Sequence, residues 1–169
     1  MAIRRLTPSD SSSFQALRLA ALRDAPSAFG SSYEEEKDFP PSTIEGRLAA
    51  KPDGGVFGAF EGTSLVGLVA LVRDKGRKRE HKALIWSMYV MPMARGKGTG
   101  RALLLEALAL ARSVPAIRQV NLSVNAGNTP AIRLYESAGF KAYGREPAAL
   151  LVDGELHDEI HMCLHLSAG

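Results

Sequence analysis

Disulfide bonds are the first thing this chain lacks the means to build. Of its 169 residues only Cys163 is a cysteine, which excludes an internal disulfide framework. No apolar stretch is long enough to span a bilayer, and the opening MAIRRLTPSD has no apolar run of the signal-peptide kind. A cytoplasmic protein with no membrane partner is therefore expected. Excess charge is missing too: 21 basic against 18 acidic residues leave +3, too mild a balance to point to nucleic acid. No internal repeat or low-complexity linker divides the chain, and its length suits a single domain over residues 1–169 with a core of its own. One bias stands out from this plain background. Fourteen of the 21 basic residues are Arg, the side chain suited to holding phosphates and other anions.

Periodicity and turn residues divide the chain into elements. Residues 2–6 read as a short strand. Thr7-Pro8-Ser9-Asp10 leads into a helix with Phe14, Leu17, Ala21 and Leu22 on one face, ending near Pro26. SAFGSSYEEEKDFPPS reads as an irregular connection and residues 42–51 as a second short helix. GGVFGAFEGTSLVGLVALVRD reads as a hairpin turning at Glu61-Gly62-Thr63. A basic loop, RDKGRKREHK, precedes the β-rich run ALIWSMYVM. A helix from about Gly98 to Ser113, a strand IRQVNLSV and a helix NTPAIRLYESA follow. Two last strands, 140–151 and 155–166, join at Asp153-Gly154, a strong hairpin signal. An α/β or α+β sheet of about seven strands is expected.

The stretch VMPMARGKGTG, Val90 to Gly100, carries the first chemical signal. Pro92 cannot donate a ladder hydrogen bond, so it ends the preceding strand. Gly96, Gly98 and Gly100 allow positive φ and close approach of a ligand, so successive N–H groups can converge. A helix N-terminus follows, and its open N–H groups and dipole complete a phosphate site. A Walker A loop is excluded because Lys97 is followed by Gly98 rather than Ser or Thr. The G-x-G-x-G spacing also departs from the dinucleotide fingerprint, and no acidic residue ends a following strand at the right distance.

VMPMARGKGTG resembles the acyl-CoA signature of the GNAT superfamily of N-acyltransferases, V-x-P-x-x-[RQ]-x-x-G-x-[GA], with Val90, Pro92, Arg95, Gly98 and Gly100 in the fixed positions. NLSVNAGNTPAIRLYESAGF resembles the family's next block, through Asn128, Ala131, Leu134, Tyr135, Gly139 and Phe140. Local physics agrees: Thr129 can cap a helix, Pro130 suits its first turn and Gly139 suits a left-handed stop. The resemblance implies a single α/β GNAT-like domain whose sheet is mixed, mostly antiparallel, with about seven strands and about four flanking helices. It implies acetyl-CoA as cosubstrate, with its pyrophosphate on the backbone of Arg95, Gly96, Lys97, Gly98, Thr99 and Gly100. Met88, Tyr89 and Val90 would offer backbone groups to the pantetheine and thioester, and Asn128 a side-chain contact. The family's tyrosine is Tyr135 here, implied as the proton donor to the departing thiolate; a core tyrosine with a satisfied hydroxyl is the competing reading.

Acyl transfer to an amine also needs a neutral amine. An amine of pKa ~10.4 is neutral in about one part in 2,500 at pH 7, a deficit of roughly 4.6 kcal/mol, against about 1 kcal/mol for an α-amino group. ALIWSMYV holds no acid of the kind many family members place there, which leaves Glu34, Glu35, Glu36, Asp158 and Glu159 as candidates. Phe29, Tyr33 and the Glu34–Glu36 run suggest an aromatic, acidic mouth for a cationic amine; a solvated charge run is the plainer reading. RDKGRKREHK reads as an exposed loop tip or as a contact for an acidic acceptor. Glu159, His161, Cys163 and His165 share one strand face, but positions roughly 6.6 Å apart converge poorly on zinc, so no metal is expected. The expected function is acetyl transfer to a primary amine of a small molecule or peptide. A non-catalytic acyl-CoA sensor or scaffold is the alternative, and a homodimer is left open.

Overall fold

A computed structural model describes residues 1–167; residues 168 and 169, the last two of the expected domain, lie outside the described residues. In chain order the elements are β1 (Ala2–Arg5), α1 (Ser11–Asp24), α2 (Tyr33–Glu36), α3 (Pro41–Leu48), β2 (Gly55–Glu61), β3 (Ser64–Arg73) and β4 (Lys82–Val90). Then come α4 (Thr99–Ser113), β5 (Gln119–Asn125), α5 (Thr129–Ser137), β6 (Lys141–Val152) and β7 (Glu155–His165). The seven strands form one sheet in the order β1-β2-β3-β4-β5-β7-β6. Every pairing is antiparallel except β4 with β5, as a strand–helix–strand connection through α4 requires.

The apolar faces explain the layers. Leu103, Leu104, Ala107, Leu108 and Ala111 recur at helical spacing on α4 and are fully buried with Val120 and Met162 on one side of the sheet. Phe14, Leu17, Ala21 and Leu22 of α1 pack with Ile44, Leu68 and Ala70 on the other. Each such large side chain contributes roughly 1.5–3 kcal/mol of burial. Arg18 is also buried on α1, in the middle of the stripe that runs from Phe14 to Leu22. On β7, Met162 is buried and Ile160 and Leu164 pack beside it, which turns Glu159, His161 and Cys163 to the opposite face. The Asp153-Gly154 hairpin is present, with φ of 50° and 81° at its two residues.

Two local features depart from expectation. The connection after α1 contains a fifth helix, α2. Ser32 caps it, accepting from Glu35 N at 3.2 Å, and Glu35 reaches back to Ser32 N at 2.8 Å. SYEE carries the Ser-x-x-Glu spacing of that capping box. The second is a bulge. Leu68 pairs with Tyr89 but Ala70 with Trp86, so β4 carries one residue more than β3 across that step. Ser87 has φ of 56° there. A bulge bends its strand, and β4 pairs with β5 only from Lys82 to Leu84. Beyond Leu84 the two strands part, while β5 stays paired with β7 along its whole length.

Candidate functional site

The glycine turn leaves β4 as a strand and enters α4 as a helix, and its conformation is set by two positive φ angles, 74° at Gly96 and 80° at Gly98. No backbone N–H from Gly96 through Arg101 donates to another described residue. A Cβ built at Gly96 or at Gly98 would meet no atom within 4 Å, so the space in front of these donors is open. Six consecutive free N–H groups at the positive end of a 15-residue helix fit a diphosphate. The side chains play a different part. Arg95 Nε donates to Val90 O at 2.8 Å and its Nη2 to Asp24 Oδ2 at 3.0 Å, where the Tyr89 hydroxyl also donates. Arg95 therefore ties the turn to α1 and occupies one of the carbonyls expected to face the pantetheine. Lys97 pairs with Glu61 at 3.1 Å.

Where β4 and β5 part, a cleft of about 410 Å³ opens through the sheet. From the α5 side it is lined by Asn128, Leu134 and Tyr135, and from the α1 side by Arg18, Phe29 and Glu159. Met88 lies on its β4 wall and Ser123 on its β5 wall. Asn128 is the N-cap of α5, accepting from Ala131 N at 3.3 Å. The expected cap, Thr129, is the first helical residue instead, because Asn128 is the last residue outside helical geometry. Pro130 lies in the first turn, and Gly139 takes φ of 99° after the helix.

Tyr135 is 6% exposed and packs edge-on against Phe140 at 6.0 Å. Burial pushes its phenol up to about 12. Tyr135 lines the cleft, and its hydroxyl finds no hydrogen-bond partner among the described residues. A phenol this high in pKa holds its proton throughout the physiological range. Complete transfer to a thiolate of pKa ~8.5 would be uphill by ~5 kcal/mol. A shared proton along a hydrogen bond to sulfur is the chemistry it can supply.

The candidate acids separate clearly. Burial works to raise the Glu36 carboxyl, but hydrogen bonds from Arg18 and Arg47 outweigh it and hold the group at about 2. Arg18 Nη2 reaches Oε1 at 2.9 Å and Arg47 Nη1 reaches Oε2 at 3.0 Å. Arg18 also donates to Ser87 Oγ at 3.2 Å, so the cluster braces the bulge that opens the cleft. Glu35 is engaged in the α2 cap and Glu34 pairs with Lys37 at 2.6 Å. Tyr33 lies under Arg23, 3.9 Å from ring centre to guanidinium. Of the expected acidic, aromatic mouth, Glu36 is buried and Glu34 and Glu35 are internally paired, yet Phe29, Tyr33, Glu34 and Glu35 still line a concavity of about 400 Å³. Asp158 accepts from Ala148 N at 2.8 Å and from Arg145, contacts that hold it below the usual range. Of these acids Glu159 alone lines the cleft, and its side chain makes no hydrogen bond or ion pair among the described residues. Beside it His161 bridges Ser123 Oγ, at 2.8 Å, and Glu146, at 3.0 Å. Cys163 does not line the cleft. Sequence reading missed Arg18, Ser87 and Trp86; the only signal was an arginine inside an apolar helical stripe.

A mixed sheet split at its one parallel pair, with a donor-rich turn at the split, defines a fold class shared with known acyltransferases. The model of the acetyltransferase (GNAT) family matches residues 17–140, and the chain belongs to that family. It is 33% identical over 154 residues to the mycothiol acetyltransferase of Acidothermus cellulolyticus, covering 85% of this chain and 46% of that protein. It is 35% identical over 106 residues to the N-alpha-acetyltransferase RimI of Mycobacterium tuberculosis, covering 63% of each. The chain thus spans about half to two thirds of the length of these curated relatives. Among solved structures, a GNAT-family acetyltransferase from Streptococcus pneumoniae superposes with TM-score 0.87 at 21% identity, over 98% of this chain and 99% of that one. The Salmonella typhimurium protein yncA, solved with its cofactor acetyl-CoA, superposes with TM-score 0.83 at 24% identity, over 99% and 94%. These superpositions establish the shared fold. Among the described residues no helix is long and apolar enough to cross a membrane.

Proposed function

We propose that residues 1–169 form one domain that moves an acetyl group from acetyl-CoA directly to a primary amine of a small molecule or peptide, in the cytoplasm. The observation that carries this reading is Tyr135, its hydroxyl without a partner among the described residues, on the wall of a cleft lined from both faces of the sheet. Acetyl-CoA bound at the turn supplies an acetyl thioester. The free N–H groups from Gly96 to Arg101 hold the diphosphate, and the edge of β4 from Met88 to Val90, left by β5 and with Val90 O engaged by Arg95, faces the cofactor arm, with the Asn128 side chain beside it. Tyr135 keeps a proton at its hydroxyl for the departing sulfur. Glu159, at the opposite mouth, accepts the proton that an incoming ammonium must lose, directly or through water.

Substitution of Tyr135 by Phe tests the reading. It removes one hydroxyl and leaves the ring packing against Phe140 intact. The expected result is a fall in kcat of roughly 10²–10⁴-fold with little change in acetyl-CoA affinity. An unchanged rate of CoA release would remove Tyr135 from the chemistry. Acetyl-CoA binding without CoA release, on any amine, would instead favour a sensor.

A further inference from the structure

A second concavity, of about 450 Å³, adjoins the reaction cleft and shares Leu84 and Trp86 with it. Its floor is apolar: Ala70 and Val72 of β3 and Leu84 and Trp86 of β4. Val72 and Leu84 are 37% and 43% exposed, so two large aliphatic side chains face water in the middle of a sheet. Its rim is cationic. Arg47 and Lys51 stand on the α3 side, and Arg73, the last residue of β3, and Lys75, from the basic loop after it, stand opposite.

The ion pairing leaves this rim positive. Arg73 faces two carboxylates, Asp53 at 3.5 Å, itself on the rim, and Glu80 at 3.8 Å, so that corner adds no net positive charge and the excess rests on Arg47, Lys51 and Lys75. Arg47 must share the Glu36 carboxylate with Arg18, so that buried triad carries two cations and one anion, and Arg47 is its groove-facing end. Neither Lys51 nor Lys75 forms an ion pair among the described residues. A concave surface with apolar walls focuses such a field. At the far end of the continuous surface stands Glu159, the one unpaired carboxylate of the cleft. The two ends therefore carry opposite sign.

We propose that this groove binds the anionic part of the amine acceptor, a carboxylate or phosphate separated from the amine by an apolar spacer. Calling the ligand an acceptor rests on the acetyl-transfer reading above; the charge preference of the groove does not. The preference runs opposite to the cationic acceptor that the Glu34–Glu36 run suggested.

Trp86 is the single tryptophan of the chain and lies at the junction, so its fluorescence reports occupancy without turnover. The full chain, saturated with CoA, is titrated with three amines of one length: 6-aminohexanoate, 6-aminohexanamide and hexane-1,6-diamine. A peptide with a free N-terminus and acidic residues, against its glutamine counterpart, separates a peptide source from a small-molecule one. The carboxylate should bind at least about tenfold tighter than the amide and the diamine weakest, with the gap narrowing as salt rises. Lys51→Glu with Lys75→Glu should erase or invert that order, and Lys51→Arg with Lys75→Arg should restore it. Equal binding of the three amines, or an order that survives the glutamate pair, overturns the proposal. CoA release measured on the same panel keeps the two readings apart. The binding order without release supports the groove and removes the transferase, whereas release at equal rates and equal binding supports the transferase and removes the groove.

Discussion

The two mouths of the cleft are built from different materials. On the proposed cofactor side a single run of chain, Val90 to Arg101, presents backbone N–H groups, and its shape depends on two glycines at positive φ. On the proposed acceptor side the wall is assembled from side chains distant in sequence: Arg18, Glu36 and Arg47 from three helices, Ser87 and Trp86 from β4, and Glu159 from β7. The first mouth depends on conformation and the second on buried charge. Each is vulnerable to a kind of change that the other tolerates.

Removing the buried carboxylate tests this separation most severely. Glu36→Ala leaves two guanidiniums without their partner, and breaking a buried pair costs about 3–5 kcal/mol. For a chain of this size that lowers Tm by roughly 10 °C in a thermal melt. Acetyl-CoA affinity, read by calorimetry on the folded variant, should stay within about twofold; a large loss would mean that the two mouths are one unit.

Acid probes the same cluster without mutation. The folded-state pKa of Glu36, about 2, lies below its ordinary value of 4.5, so its contribution is fully present above pH 4.5 and is lost as pH falls through about 2. A shift of that size is worth on the order of 3 kcal/mol. The stability of the parent protein should therefore fall across that window, and Glu36→Gln, which has no proton to gain, should show a shallower fall in denaturant titrations at each pH.

Gly98→Val attacks the other mouth. Its φ of 80° costs a β-branched residue roughly 1–2 kcal/mol, but no protein atom lies in the way of the new Cβ, so the fold survives. Acetyl-CoA binding should weaken at least about 100-fold, ~2.7 kcal/mol. Retained micromolar binding would place the phosphates elsewhere. The smallest effect belongs to Asn128→Ala, which removes the α5 cap for about 1 kcal/mol of stability; an unchanged melt would show that Thr129 can take over.

Much of this architecture is legible in the amino-acid sequence because it is local. Apolar stripes, the Asp153-Gly154 turn and the Pro92–Gly100 signature each act within a few residues, and the elements they predict appear within one to three residues of their expected ends. Misreadings arise where one local choice has two outcomes. Both Asn128 and Thr129 can cap a helix, and SYEE can be loop or capping box.

The acceptor side is not legible in the same way, and the reason is geometric. Nothing in GSSYEEEKDF says that Glu36 points inward while Glu34 and Glu35 do not; that depends on Arg18 and Arg47 arriving from two other helices. The bulge at Ser87 is likewise a property of β3 and β4 together, since an extra residue exists only relative to a partner strand. By itself the sequence determined the family, the order of the strands and of every helix but α2, and the glycine turn after β4, because short-range sterics and hydrophobic period set them. Only the tertiary structure decided which carboxylate is paired, which stays free and which way the groove is charged. Those outcomes depend on distances between residues far apart along the chain.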